Sequence, residues 1–326
     1  MRKIYFTLYA VLCIAFVSSC QNGDIDIDKI ITFKINPSTV VSSLLENSPG
    51  DLSSVGNEKK LHVGLYVYNE AGSLVAKDIQ QFSDYTHIMS SAHGLGTGEY
   101  TIVAYTQIIW NDGTKFWTIS GENNLSTFTV TDEGMIGGSS KILGLSAKKI
   151  LIDESTKEIS MNVECAGAVA LVEILDWNRY SDVKQYGLAS NKSCDDVKFD
   201  QSGQLRYSIT TKSTFAYWMY LCDYDSKYKS AYGYTFMFPY TDIKMTFEAV
   251  TDSDETVQIG TTCTADILKG HTYWFAYDVT EDETYWSDAT DWKSYSASPR
   301  SVVEGIHENK LPLTYSQETG SIRIAE

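Results

Sequence analysis

Basic residues are scarce in this chain: 26 Lys and Arg stand against 42 Asp and Glu, a net charge of −16 over 326 residues. A field of that sign repels nucleic-acid phosphates and anionic membrane headgroups, so nucleic-acid binding is excluded as a function. No apolar run reaches the ~20 residues that span a bilayer; the nearest, Ile4 to Phe16, has thirteen. The cysteines form no CxxC pair and lie far apart, which sets a zinc site aside. The five histidines, His62, His87, His93, His271 and His307, keep no metal-pair spacing; His307-Glu308 opens an HExxH motif, but Leu311 stands where the second ligand belongs. There is no GxSxG elbow and no Walker loop. The glycine run Gly94-Leu95-Gly96-Thr97-Gly98 is followed by Glu99 and a strand-like stretch, not by the third glycine and helix of a dinucleotide cradle. Asp24-Ile25-Asp26-Ile27-Asp28 lacks the EF-hand glycine and glutamate, with Lys29 and Ile35 at those places. Acidic clusters such as Asp195-Asp196 and Asp252-Ser253-Asp254-Glu255 read as solvated turns. Nothing argues for an enzyme, and no cofactor or metal is expected.

What is present begins at the N terminus. Arg2 and Lys3 form a positive region, Ile4 to Phe16 an apolar one, and Val17-Ser18-Ser19 a small-residue cleavage box closed by Cys20. A cysteine at the first mature position offers a thiol for diacylglycerol and an amine for a further acyl chain. Because each buried methylene contributes about 0.8 kcal/mol, two or more chains hold a protein stably where one holds it marginally. The expectation is a lipoprotein signal over 1–19 and a lipidated Cys20 that keeps the protein on a membrane. Cleavage removes two of the 26 basic residues and no acid, leaving 307 residues with 24 basic against 42 acidic side chains, a net charge of −18. That length is comfortable for two domains. Cys165, Cys194, Cys222 and Cys263 remain in a compartment that permits disulfides; buried small hydrophobes, one bridge or two, in any of three pairings, are all open.

Beyond an acidic tether over 20–29 the pattern is all-β. Ile30 to Ile35 reads as a strand that Asn36-Pro37 interrupts, and a Ser-, Asn- and Gly-rich loop follows up to Lys60. In Leu61 to Tyr68 the residues Leu61, Val63, Leu65 and Val67 share one face with period two, which predicts an aliphatic inner face and an outer face of His62, Tyr66 and Tyr68. Further strands are expected over 74–76, 85–89, 99–105, 125–130 and 148–152. A second set follows over 161–165, 168–174, 204–210, 215–222, 234–238, 243–250, 256–265 and 273–279, with one more at 321–324. Short strands with turns every eight to twelve residues point to sandwiches. We divide them as a first β-sandwich over 30–157, a second over 158–280 and a polar tail over 281–326. A faint echo between Gly98–Tyr105 and Gly270–Tyr277 supports two related units. The best candidate binding surface is aromatic: Tyr217, Trp218, Tyr220 and Tyr224, with Trp286 and Trp292 in the tail, are residue types that stack on sugar rings and anchor protein contacts, or fill a sandwich core.

The lipobox, the stretch Leu61-His62-Val63-Gly64-Leu65-Tyr66-Val67-Tyr68-Asn69-Glu70-Ala71-Gly72 and the run Leu95 to Tyr105 together resemble the fimbrillin and fimbrial anchor-subunit family of gut and oral Gram-negative anaerobes. The resemblance implies two tandem transthyretin-like β-sandwich domains in an outer-membrane surface lipoprotein of an adhesive fimbria. Its partners would be other fimbrial subunits, joined by strand addition, and a glycan or host protein at its surface. Asp24, Asp26 and Asp28 match in part the acidic export signal such lipoproteins carry behind the cysteine. Family stalk subunits are cut by an arginine-specific protease in the first domain; here the arginines are Arg2, Arg179, Arg206, Arg300 and Arg323, so none lies where that cut falls. The resemblance therefore implies an uncut, tethered, anchor-type subunit, with a polymerising stalk or tip fimbrillin and a glycan-binding lipoprotein as alternatives.

Overall fold

The computed structural model describes residues 30–37, 60–82, 88–109, 113–133, 141–175, 183–200, 202–212, 214–219, 223–225, 230–280, 282–289, 313–316 and 321–324. Its strands are β1 (Ile30–Pro37), β2 (Lys60–Asn69), β3 (Leu74–Phe82), β4 (Ile88–His93), β5 (Gly98–Ile109), β6 (Trp117–Ser120), β7 (Thr129–Asp132), β8 (Leu143–Ile152), β9 (Glu158–Val163), β10 (Ala168–Leu175) and β11 (Val183–Ser190). They continue as β12 (Ser193–Phe199), β13 (Leu205–Thr210), β14 (Thr214–Met219), β15 (Asp223–Asp225), β16 (Ser230–Met237), β17 (Tyr240–Thr251), β18 (Thr256–Ile267), β19 (Thr272–Asp278), β20 (Glu283–Ala289), β21 (Leu313–Ser316) and β22 (Ser321–Ile324). The all-β expectation holds; among the described residues the only helical element is a 3-10 turn at Leu125–Thr127, in a segment whose apolar pattern had read as strand.

Two units share one topology. In the first, a sheet β4-β1-β9 faces a sheet β3-β2-β5-β8; in the second, β16-β10-β19 faces β14-β11-β17-β18. The correspondence extends to direction: β1 pairs antiparallel with β4 and parallel with β9, as β10 does with β16 and β19. The second unit adds β15 and β20 on the two outer edges of its sheet. Each unit also extrudes a hairpin, β6–β7 from the first and β12–β13 from the second, and these join through β7 and β12 into a four-stranded sheet β13-β12-β7-β6 that bridges the units.

The bridging sheet explains a departure from the sequence pattern. His62, Tyr66 and Tyr68, assigned by alternation to an outer face of β2, are all buried. Phe128, leading into β7, sits edge-on to Tyr66 at 5.2 Å and to Tyr68 at 6.5 Å, and meets Phe199 of β12 at 5.9 Å. The sheet containing β2 is thus covered on both faces, by its sandwich partner and by the bridge, and polar-capable rings stand where solvent was expected. A second seam ties the units together: Trp117 of β6 lies edge-on to Phe236 (5.8 Å) and Phe238 (5.3 Å), and Tyr207 of β13 donates to the Ala166 carbonyl at 2.7 Å.

The expected boundaries shift. The division at 157/158 separated β9 from β1, but the two pair in parallel from Thr32↔Glu158 to Pro37↔Val163, so the first unit runs on to Val163 and the second begins at Ala168. Pro37 ends β1 without breaking it, since the last position of a strand tolerates the missing donor. The tail expected from residue 281 begins inside the second unit, because β20 extends its sheet. The echo between 98–105 and 270–277 is not a topological one: β5 corresponds to β17, and β19 to β9. Strands β11, β12 and β20 carry no clear two-residue alternation and were not expected.

One glycine in the first unit answers a packing need. Gly64 of β2 lies opposite Tyr105 of β5, whose ring crosses the glycine so closely that a Cβ there would fall 2.0 Å from Tyr105 Cε1.

Candidate binding surfaces

The lipobox Val17, Ser18, Ser19 and Cys20 and the tether to residue 29 lie outside the described residues, as do Tyr220 and Trp292. The chain enters its first strand at Ile30, on the end of the first unit away from the second, where the turns at 94–97 and 153–157 also lie. Of the aromatic candidates, Tyr217 and Trp218 fall on β14 and Tyr224 on β15. These are edge strands of the two facing sheets of the second unit, so three of the six candidates share one flank. Trp286 does not belong with them: it is paired with Phe275 across β19 and β20, stacked on that ring at 6.4 Å, and 9% exposed. Its neighbours Ser287, Asp288 and Asp282 give the segment a polar composition, whereas the pairing of β20 with β19 buries Trp286 against Phe275.

The histidine nearest a functional look, His62, is buried against Tyr105, whose hydroxyl lies 3.2 Å from Nε2, and burial together with the charge of Lys115 brings its pKa down to about 4. It is neutral at physiological pH and packs. His87 lies outside the described residues. Cys165, Cys194 and Cys263 are free and buried, and burial pushes their thiols up to about 11, 12 and 12, which leaves them protonated and poor nucleophiles. Cys222 lies outside the described residues. Among the described residues no three His, Cys, Asp or Glu side chains gather where a metal could be held. Asp200 caps its turn by accepting from the Ser202 and Gln204 amides and from Arg206 Nε, as a structural carboxylate does.

The edges of the sandwiches carry more information than the side-chain clusters. On one flank of the first unit Asp78 of edge strand β3 accepts from Ser90 Oγ (2.8 Å) and from the Ser91 amide (3.2 Å) of edge strand β4. Burial raises the Asp78 carboxyl, but hydrogen bonds from Ser90, Gln80 and the amides of Ser91 and Ile79 outweigh it and hold the group below the usual carboxylate range. An inward charge that spans both sheets is a device for closing an edge. On the opposite flank, between β8 and β9, a cleft of about 620 Å3 opens where the first unit, the bridging hairpin β12–β13 and Lys269 of the second unit meet.

No family model matches the sequence, and neither does any curated protein. Among solved structures the chain is similar to a candidate adhesin from Bacteroides thetaiotaomicron, at 12% identity over 82% of this chain and 98% of that one, with a TM-score of 0.49. The chain is also similar to fimbrial proteins. One is the fimbrial anchor protein Mfa2 from Porphyromonas gingivalis, at 10% identity over 76% of this chain and 90% of that one, TM-score 0.43. Another is a fimbrial assembly protein from Parabacteroides distasonis, at 9% identity over 81% and 96%, TM-score 0.42.

Proposed function

We propose that this chain is a lipid-anchored surface protein of a fimbria. Cys20 carries the acyl chains, the two sandwich units stand on the outer face of the outer membrane, and other fimbrial subunits attach to them by adding strands to open sheet edges. The observation that carries this reading is the small-residue box closed by Cys20, ten residues ahead of the first strand of a repeated two-sheet unit. The absence of arginine between Lys3 and Arg179 supports an uncut, base-type subunit over a polymerising stalk or tip subunit. Two tests bear on it. Radiolabelled palmitate should enter the wild-type chain and not Cys20→Ala, and the intact mass of protein extracted from membranes should equal residues 20–326 plus acyl chains. Equal labelling of both, or a mature chain that starts beyond residue 37, sinks the reading.

A second reading is favoured by the positions of Tyr217, Trp218 and Tyr224 on β14 and β15, edge strands of the second unit. Aromatic residues stack on sugar rings, so a glycan of the cell or host is the ligand to test on that flank. Calorimetry against a panel of oligosaccharides should give heat that Trp218→Ala removes; no heat with any sugar rejects it.

A further inference from the structure

The cleft beside β9 is lined by parts of the chain that are far apart in sequence. Strands β8 and β9 of the first unit, β13 and the turn before it, and Pro239 and Lys269 of the second unit all contribute. An opening of about 620 Å3 has the size of a small-molecule site, and junctions between units are where such sites concentrate.

The lining divides into an apolar part and a hydrogen-bonding part. The Tyr207 ring is held in place, because its hydroxyl donates to the Ala166 carbonyl at 2.7 Å and the ring lies 5.7 Å from Phe238. With that donor already engaged, Tyr207 gives the cleft a fixed apolar surface, which Leu205 of the same strand extends. Hydrogen-bonding capacity stands unused beside it. Asn162 accepts from Asn36 Nδ2 at 3.0 Å through Oδ1, which leaves the two donors of its own Nδ2 available. Gln204 donates its backbone amide to Asp200, and its exposed side-chain amide has no hydrogen-bond partner among the described residues.

Charge nearly cancels on this flank. Lys269 and Glu164 satisfy each other at 2.7 Å, and the exposed Lys148, Lys149 and Lys157 stand against Asp153, Glu154 and Glu158. In a chain of net charge −16 this is a locally neutral place, which draws in neither a phosphate nor a cation. A wholly apolar ligand would cover the amides of Asn162 and Gln204 without replacing their bonds to water. The chemistry that fits is a molecule with an apolar face, a rim of hydroxyls and no charge, which describes a sugar ring.

We propose that this cleft binds a short neutral oligosaccharide, with a sugar face against Tyr207 and Leu205 and hydroxyls hydrogen-bonded to the side-chain amides of Asn162 and Gln204. The site is separate from the flank of β14 and β15 and does not depend on the anchoring role. Because the first unit, the bridging hairpin and the second unit all line it, bound sugar also ties the two units together.

The test is calorimetry on membrane-extracted residues 20–326 in detergent. Maltotriose, cellotriose, mannotriose and tri-N-acetylchitotriose are the neutral probes, and trigalacturonate is the charged one. At millimolar sugar at least one neutral probe should give heat that Trp218→Ala leaves in place, while trigalacturonate binds more weakly. Gln204→Ala and Asn162→Ala should each weaken that probe about two- to tenfold, the range for one neutral hydrogen bond. The urea midpoint of Gln204→Ala should match the parent, since that side chain is exposed. At about ten times its Kd the probe should slow hydrogen exchange over 160–162 and 203–207 together, as a ligand touching both units must. No heat from any neutral probe, heat that Trp218→Ala removes and Gln204→Ala does not, or equal binding of trigalacturonate overturns the proposal. Intact mass of the same sample reads acylation of Cys20 separately, so a failed anchor and a failed cleft are distinguishable results.

Discussion

The bridging sheet makes a quantitative demand on Phe128. Its ring is fully buried, edge-on to two tyrosines of β2 and in contact with Phe199 of a hairpin contributed by the second unit. Phe128→Ala removes the whole six-carbon ring from a fully buried position, and such truncations cost about 3–5 kcal/mol. That is a factor of about 10²–10⁴ in the folded-to-unfolded ratio. Phe128→Leu keeps most of the volume and should cost about 1–1.5 kcal/mol. The assay is urea unfolding of residues 20–326 with Cys20→Ala, followed by tryptophan fluorescence, with Phe199→Ala and the double variant completing a cycle. Because the two rings touch across the units, the cycle should give a coupling of about 0.5–1.5 kcal/mol. The bridge should also make the two units unfold in one transition in the parent and separate them in the double variant. A cost below about 1 kcal/mol for Phe128→Ala, or additive single effects, would falsify the view that the hairpins form a third layer over β2.

Three further outcomes follow from single side chains. Gly64→Ala places a methyl group inside the Tyr105 ring position and should cost about 1–3 kcal/mol by overpacking, with Tyr105→Leu in the same chain recovering part of it; equal stability to the parent in a melt rejects the close approach. The lowered pKa of His62 means the unfolded chain takes up the proton first, so stability is intact above the unfolded value near 6.5 and falls as pH drops from there to about 4. A His62→Phe chain should show a flatter stability curve across that window, read by urea midpoints at pH 7, 6, 5 and 4.5, and an unchanged slope counts against burial of a neutral imidazole. For Asp78 the folded carboxyl is held below its unfolded value, so its contribution is present above the unfolded pKa near 4 and disappears as pH falls through the folded one. The stability gap between parent and Asp78→Asn should therefore be largest at pH 7 and close below pH 4, and a pH-independent gap contradicts the assignment.

The sequence by itself determined the strand content and the period of its clearest elements. Alternation in Leu61–Tyr68 and in Ile243–Val250 is a local property, written in every second residue, and it marked the core side of β2 and β17 correctly. It also carries the small-residue box closed by Cys20 on which the proposed acylation rests, a local motif that needs no fold to be read. What only the tertiary structure decided was everything that depends on partners far along the chain. The assignment of β9 to the first unit rests on pairing with a strand more than a hundred residues earlier. The burial of His62, Tyr66 and Tyr68 comes from a third layer built by two hairpins, one from each unit, and Trp286 is buried because β20 joins a sheet whose other strands lie upstream. Period two tells which residues face alike but not what covers each face, and an edge becomes an edge only when the neighbours are known. The flank of β9, with which no further strand pairs among the described residues, and the flank of β3, which Asp78 ties to β4, are therefore indistinguishable in the amino-acid order and distinct in the folded molecule.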